Sequence, residues 1–267
     1  MSALAVGEDV VPGRLQASRT LRPGSAPPAT GRRVIRTASV LFFSCVALLQ
    51  VGLMLPFVRT AARARWAHRW CRFACRVLGL HLTTTGTMPD SGLLVCNHLS
   101  YLDIIALSGL RPCVFVAKRD VRGWPLFGWL ARAAGTIFVE RNCRSAAGTE
   151  VTKISSAIES GSLVVLFPEG TSSDGATVLA FKSSLLQAAV AARCPVAAAG
   201  IDYGLADGSV ADEVCYWRDM TLVPHLLNLL GKKSIESRVR FSPSRARGGN
   251  RKTLAGELRA EVAALRL

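Results

Sequence analysis

By type and spacing, His98 and Asp103 are the residues of this chain best suited to do chemistry. They follow the apolar run Leu93-Leu94-Val95-Cys96, which breaks off at Asn97-His98. The run reads as a buried strand, and Asp103 falls where the next helix should begin. A His at the carboxyl end of such a strand lies where open α/β sheets place their ligands. An imidazole is the side chain able to change charge near neutrality. Asp103, five positions on, can bend back onto one ring nitrogen and leave the other to take a proton from a hydroxyl. By itself the pair is also what an ordinary hydrogen-bonded loop contains.

Two further stretches end in the same manner. Gly135-Thr136-Ile137-Phe138-Val139-Glu140-Arg141 reads as a strand that delivers Arg141 at its carboxyl end. A guanidinium there suits a phosphate, through two parallel hydrogen bonds. Leu163-Val164-Val165-Leu166-Phe167 runs into Pro168-Glu169-Gly170-Thr171, a tight turn in which Pro168 fixes one backbone angle and Gly170 permits another. Its backbone N–H groups and the Thr171 hydroxyl could approach an anion or an oxyanion. Glu169 could hold the turn together, receive a substrate proton or orient Arg141. Lys118, just past another strand, is a further cation near that edge, whereas Lys182 reads as a helix start. Each stretch alone is compatible with a plain structural turn or a solvated strand end. The chain has no G-x-S-x-G elbow, no G-x-x-x-x-G-K-[ST] loop and no H-E-x-x-H pair.

The elements that must position these residues alternate from about residue 82 onward. Strands are expected at Leu82–Thr85, Leu93–Cys96, Cys113–Ala117, Thr136–Val139, Leu163–Phe167, Val196–Ile201, Val214–Trp217 and Ser237–Phe241. Helices are expected at Asp103–Gly109, Pro125–Ala134, Ser145–Ser160, Phe181–Ala192 and Thr253–Leu267. Strand runs that are apolar throughout imply a sheet covered on both faces, hence a single α/β domain over 81–267.

The segment before that domain differs in kind. Residues 1–31, rich in Gly, Pro, Ala and Ser, read as a disordered tail. The polar stretch precedes the apolar run, unlike a cleaved secretory signal. Residues 37–58 form a 22-residue uncharged segment, interrupted by Gln50, Gly52 and Pro56, long enough to cross a bilayer or to dip into one leaflet. On a helix over 60–80, Trp66, Trp70, Phe73 and Val77 make one stripe, and Arg65, Arg69, Arg72 and Arg76 line its neighbour. Tryptophan beside arginine is the composition of an interfacial anchor on anionic lipid. Residues 32–80 are thus expected to be a membrane anchor. Arg32, Arg33 and Arg36 flank one end of the apolar segment and Arg59, Arg63 and Arg65 the other, which leaves both orientations open. The richer supply downstream favours a domain on the cytoplasmic side of the inner membrane.

Composition agrees. Half of the 267 residues are hydrophobic and 19% are charged, against roughly 25% in an average soluble protein. Of the net +15, residues 1–80 supply +10, with twelve arginines, no lysine, and Glu8 and Asp9 as their two acids. That basicity beside an apolar span favours anionic lipid over nucleic acid, for which the chain carries no binding motif. The eight cysteines contain no C-x-x-C pair. Several lie in apolar runs, as reduced core thiols do. Cys71 and Cys75 with His68 and His81 lack zinc spacing, so no metal is expected.

Asn97-His98-x4-Asp103, Gly135-x2-Phe138-x2-Arg141 and Phe167-Pro168-Glu169-Gly170-Thr171 resemble, in order and spacing, the motifs of the 1-acyl-glycerol-3-phosphate (lysophosphatidic acid) acyltransferase family. The resemblance covers about residues 60–245. A fourth motif, an apolar strand with a Pro, is matched only loosely by Cys194-Pro195-Val196-Ala197-Ala198-Ala199. Ser172-Ser173-Asp174-Gly175 leading to Phe181-Lys182-Ser183-Ser184, together with Trp217-Arg218-Asp219-Met220, resembles the lyso-ornithine lipid branch. The resemblance implies a glycerolipid-acyltransferase-like fold with a mixed, mostly parallel sheet. It implies His98 as general base, Asp103 as its orienting partner, and Asn97, Lys118, Arg141, Glu169, Gly170 and Thr171 around the acceptor. The implied donor is acyl-ACP or acyl-CoA, and no cofactor is implied. The implied acceptor is 1-acyl-glycerol-3-phosphate, giving phosphatidic acid, with lyso-ornithine lipid as the alternative. A non-catalytic membrane lipid-binding protein is the alternative of another class.

Overall fold

Residues 92–96 are buried at every position. Leu94 and Cys96 join the apolar core on one side of the sheet, Leu93 and Val95 that on the other, because successive strand residues face opposite ways. Both faces therefore need helices over them. The computed structural model describes residues 29–54, 60–124, 126–140, 147–192 and 194–266. Along them run α1 (Ala29–Met54), α2 (Thr60–Leu78), β1 (Leu80–Thr85), β2 (Gly92–Cys96), α3 (Leu102–Leu110), β3 (Val114–Lys118), α4 (Phe127–Ala133), β4 (Ile137–Val139), α5 (Ala147–Glu159), β5 (Leu163–Leu166), α6 (Gln187–Ala192), β6 (Pro195–Leu205), α7 (Val210–Glu213), α8 (Leu222–Gly231), β7 (Ile235–Phe241), β8 (Arg245–Ala246) and α9 (Arg251–Arg266).

The strands lie in the order β1-β7-β6-β2-β5-β3-β4, with β8 beside β6. The five from β6 to β4 are mutually parallel, whereas β7 runs antiparallel to β6 and carries β1 parallel to itself. Residues of α2, α3 and α8 complete one core, and residues of α5 and α9 complete the other. The mixed, mostly parallel sheet covered by helices is as expected.

Several elements differ from the sequence reading. Residues 214–217 are not a strand. Val214 and Cys215 are fully buried, but the backbone pairs with loops: Tyr216 N–H donates to Leu99 O (2.8 Å) and Cys215 N–H to Val210 O. An apolar run reports burial, and here burial comes without a ladder. The helix expected over Phe181–Ala192 starts as a 3-10 turn, Ser183–Leu186, before α6. α8 is not among the expected helices; it carries Pro224 in its first turn, where a proline removes only an N–H that has no helical partner.

The expected tail, through residue 28, lies outside the described residues, as does 55–59, the end of the apolar segment. α1 begins at Ala29, several residues before the apolar run, because its first turns are fastened to the domain. Arg32 Nε donates to Gly231 O (3.0 Å) and Arg36 to Lys232 O (2.6 Å), so cations meet the last carbonyls of α8, where helix dipole and unpaired acceptors both favour them. α1 and α2 form a helical hairpin. The Trp66 and Trp70 indoles donate to Gln50 Oε1 (2.9 and 3.2 Å), and the Phe73 ring lies 3.9 Å from that of Phe43. The aromatic stripe of α2 is thus turned toward α1 rather than outward. Gln50, the polar break in the apolar segment, has its carbonyl satisfied by those indoles. The outward face of α1 is apolar, with Leu41, Phe42 and Leu49 each more than 60% exposed.

Candidate active site

β2 and β5 are parallel neighbours, with Val95 opposite Leu166. Their carboxyl-end loops therefore leave the sheet side by side, one carrying Asn97-His98 and the other Phe167-Pro168-Glu169. This register brings together residues 71 positions apart. His98 N–H donates to Glu169 Oε1 (2.8 Å), and the imidazole stacks on Phe167 with centroids 4.2 Å apart and planes 16° from parallel.

The turn from β2 into α3 brings Asp103 back under the loop. Asp103 has no exposed surface. Its Oδ2 accepts from His98 Nδ1 (2.7 Å), Leu99 N–H (2.7 Å) and Ser100 N–H (3.0 Å). Two backbone donors hold the carboxylate in place independently of the histidine. A carboxylate opposite Nδ1 puts the neutral ring's proton there and leaves the Nε2 lone pair open. Nε2 has no hydrogen bond among the described residues, and the side chain is 21% exposed. An open basic nitrogen held by a fixed anion can accept a proton from a hydroxyl that docks on it.

Asn97 and Glu169 are placed otherwise than as substrate contacts. Asn97 is fully buried, its amide donating to Ile201 O (3.0 Å) and accepting from Ile201 N–H (2.8 Å). It pins the end of β2 to β6. Glu169 is 2% exposed, and its second oxygen accepts from Leu179 N–H (3.0 Å). Of its three candidate roles, the geometry fits holding the turn together. Burial pushes its carboxyl above the ordinary range, against the pull of those two backbone donors.

Gly170 takes φ +73°, the left-handed region that favours glycine. Thr171 is exposed, its hydroxyl directed to Ser172 O (3.4 Å). Lys118, half exposed, pairs with Asp120, so its charge is partly answered already. Arg141 lies outside the described residues. No group of three or more metal-ligating side chains occurs among the described residues. The nearby thiols are poor nucleophiles: burial pushes Cys96 far up and Cys215 up to about 12.

Two contacts were not legible beforehand. Tyr203 donates its hydroxyl to Asp103 Oδ1 (2.7 Å) from a strand 100 positions away. Ser172 donates to Tyr216 O, tying the turn after β5 to the loop at 214–217. The available hint was a tyrosine two residues beyond the expected strand Val196–Ile201, since a buried phenol nearly always finds a partner.

Asn97→Ala is expected to lower stability by about 2–5 kcal/mol, because it leaves a buried N–H and a buried C=O without partners. Thermal unfolding in detergent should show Tm reduced by roughly 5–15 °C. An unchanged Tm would mean that the pin contributes nothing.

Residues 81–202 match the family described as Acyltransferase. The chain is 36% identical over 225 residues to the lyso-ornithine lipid O-acyltransferase of Rhizobium meliloti, spanning 78% of this chain and 76% of that one. It is 33% identical over 153 residues to the 1-acyl-sn-glycerol-3-phosphate acyltransferase of Neisseria meningitidis, spanning 57% and 60%. Its fold is like that of the 1-acyl-sn-glycerophosphate (LPA) acyltransferase PlsC from Thermotoga maritima, with a TM-score of 0.61 over 89% of this chain and 95% of that one at 20% identity. The family match runs through the segment that carries His98 and Asp103, and the chain belongs to the acyltransferase family.

Proposed function

We propose that this protein transfers a fatty acyl group from an acyl thioester to the free hydroxyl of a lysolipid at a membrane surface. The observation that carries the reading is the open Nε2 of His98 above a buried, multiply bonded Asp103. The acceptor hydroxyl hydrogen-bonds Nε2. As its oxygen attacks the thioester carbonyl, Nε2 takes the proton and the Asp103 carboxylate stabilises the imidazolium. The tetrahedral intermediate collapses, the C–S bond breaks, and the departing thiolate of acyl carrier protein or coenzyme A recovers the proton from Nε2. No acyl-enzyme is required, in keeping with the raised thiols nearby.

Lyso-ornithine lipid is the acceptor favoured by the Rhizobium relative, whose match spans most of both chains. 1-Acyl-glycerol-3-phosphate is the second reading, favoured by the name of the Neisseria relative. Arg141 serves either acceptor, pairing with a carboxylate in one and a phosphate in the other. Offering each acceptor separately in detergent micelles, with both thioester types, decides between them. Arg141→Ala is expected to raise KM for the acceptor about tenfold or more, the cost of a lost charge-assisted pair. KM for the thioester should not change, and an equal rise in both would remove Arg141 from the acceptor site.

The apolar outward face of α1 supports a position at a membrane. We read this as the inner membrane with the domain on its cytoplasmic side, the side favoured by the arginines that follow the apolar segment. α1 is bonded to α8 near its N-terminus and also touches α4. A helix of about 39 Å fastened to the domain by its first turns favours entry into one leaflet over a span that stands away from the domain. Trp124 just before α4, Trp129 on α4, and Val223 and Leu227 on α8 are further exposed apolar side chains on or next to the elements that α1 touches.

A further inference from the structure

Asp103 is held by more than the loop that contains it. Its Oδ2 carries the histidine and two backbone donors, but among the described residues Oδ1 has a single partner, the Tyr203 hydroxyl at 2.7 Å. Tyr203 is 6% exposed. It stands two residues after Ile201 on β6, hence on the same face, and Ile201 is the residue pinned by Asn97. The pin fixes the register of β6 against β2, and that register decides which side chain reaches Asp103. The ring also forms a wall of a cavity of about 310 Å³, lined further by Leu99, Asp174, Asp202, Cys215 and Arg266. The phenol therefore stands between that cavity and the carboxylate.

From this geometry we infer that Tyr203 is a positioning residue for the histidine–aspartate pair, setting both the rotation of the Asp103 carboxylate and the strength of its hold on the His98 ring. The inference rests on the reading of His98 as the base. Rotation of a carboxylate about its last bond is soft, so a donor fixed on Oδ1 keeps Oδ2 in the plane of Nδ1. A donor on the anion also draws charge from it. Without that donor the carboxylate attracts the imidazolium more strongly, the ring holds its proton to higher pH, and the free-base form becomes scarcer at neutrality. The Tyr203 proton itself stays in place, since burial and the neighbouring Asp103 charge push its ionisation far up.

The test compares wild type, Tyr203→Phe and His98→Ala as full-length protein in detergent micelles, reading kcat, KM and the pH profile of kcat/KM. Tyr203→Phe is expected to lower kcat about tenfold, with both KM values within about twofold. The acidic limb of kcat/KM should move up by about half a unit to one unit. Site-specific 3-fluorotyrosine at 203, a stronger donor of nearly the same shape, should move that limb down, and it reads the same property if the phenylalanine variant fails to fold. An acidic limb that stays fixed in both variants, or a phenylalanine variant with wild-type kcat, overturns the inference while leaving His98 as base. Substantial turnover by His98→Ala overturns both.

Discussion

His98→Ala is expected to abolish acyl transfer while leaving the protein folded. General-base assistance is worth about 10²–10⁴ in rate, and in the proposed mechanism the substitution also removes the hydrogen bond that would hold the acceptor hydroxyl. Retention of the fold follows from the surroundings. Asp103 keeps Leu99 N–H, Ser100 N–H and the Tyr203 hydroxyl as donors, so no buried acceptor loses its last partner. The Glu169 bond is made to the backbone N–H of residue 98, which alanine retains. Turnover above a few per cent of wild type, in protein with unchanged Tm, would take the base role from His98. Asp103→Ala is the instructive contrast. It removes the acceptor for two backbone N–H groups as well as for the histidine, so loss of stability should accompany loss of rate.

The second large effect is on membrane partitioning. Leu41, Phe42 and Leu49 are each more than 60% exposed on α1, so changing all three to Asp should leave the domain intact. Burial of one such side chain is worth about 1.5–3 kcal/mol. Three lost together, before any cost of placing carboxylates in lipid, weaken partitioning by at least about 10³. Co-sedimentation with anionic vesicles, with gel filtration as the check on folding, measures this. A folded triple variant that pellets as wild type would mean that the outward face of α1 does not meet lipid. Cys45, exposed on the same helix, accepts a fluorescent label whose quenching by brominated lipids reports depth.

The sequence by itself determined what depends on near neighbours. The apolar run ending at Asn97-His98, followed by Asp103 at the start of a helix, encodes a pair five residues apart. A strand-to-helix turn can close that pair without help from elsewhere. Unbroken apolar strands likewise determined that the sheet has two covered faces, since burial follows from side-chain type. Pairing does not. Whether 214–217 joins the sheet depends on which backbone groups are free to receive it, and they belong to Leu99 and Val210. Asn97 was expected near the acceptor only through the motif it shares with His98 and Asp103. Only the placement of Ile201 beside it made the amide a pin between strands. Glu169 was assigned to the turn only by the register of β5 against β2, and Tyr203 to Asp103 only by the register of β6. The stripe of α2 was legible as apolar, but what covered it depended on where α1 lay, which the arginines at the end of α8 decided. Local spacing specifies which groups can react. The contacts that orient them join residues 71 to 104 positions apart, and those exist only once strand order and register bring distant segments within hydrogen-bond reach.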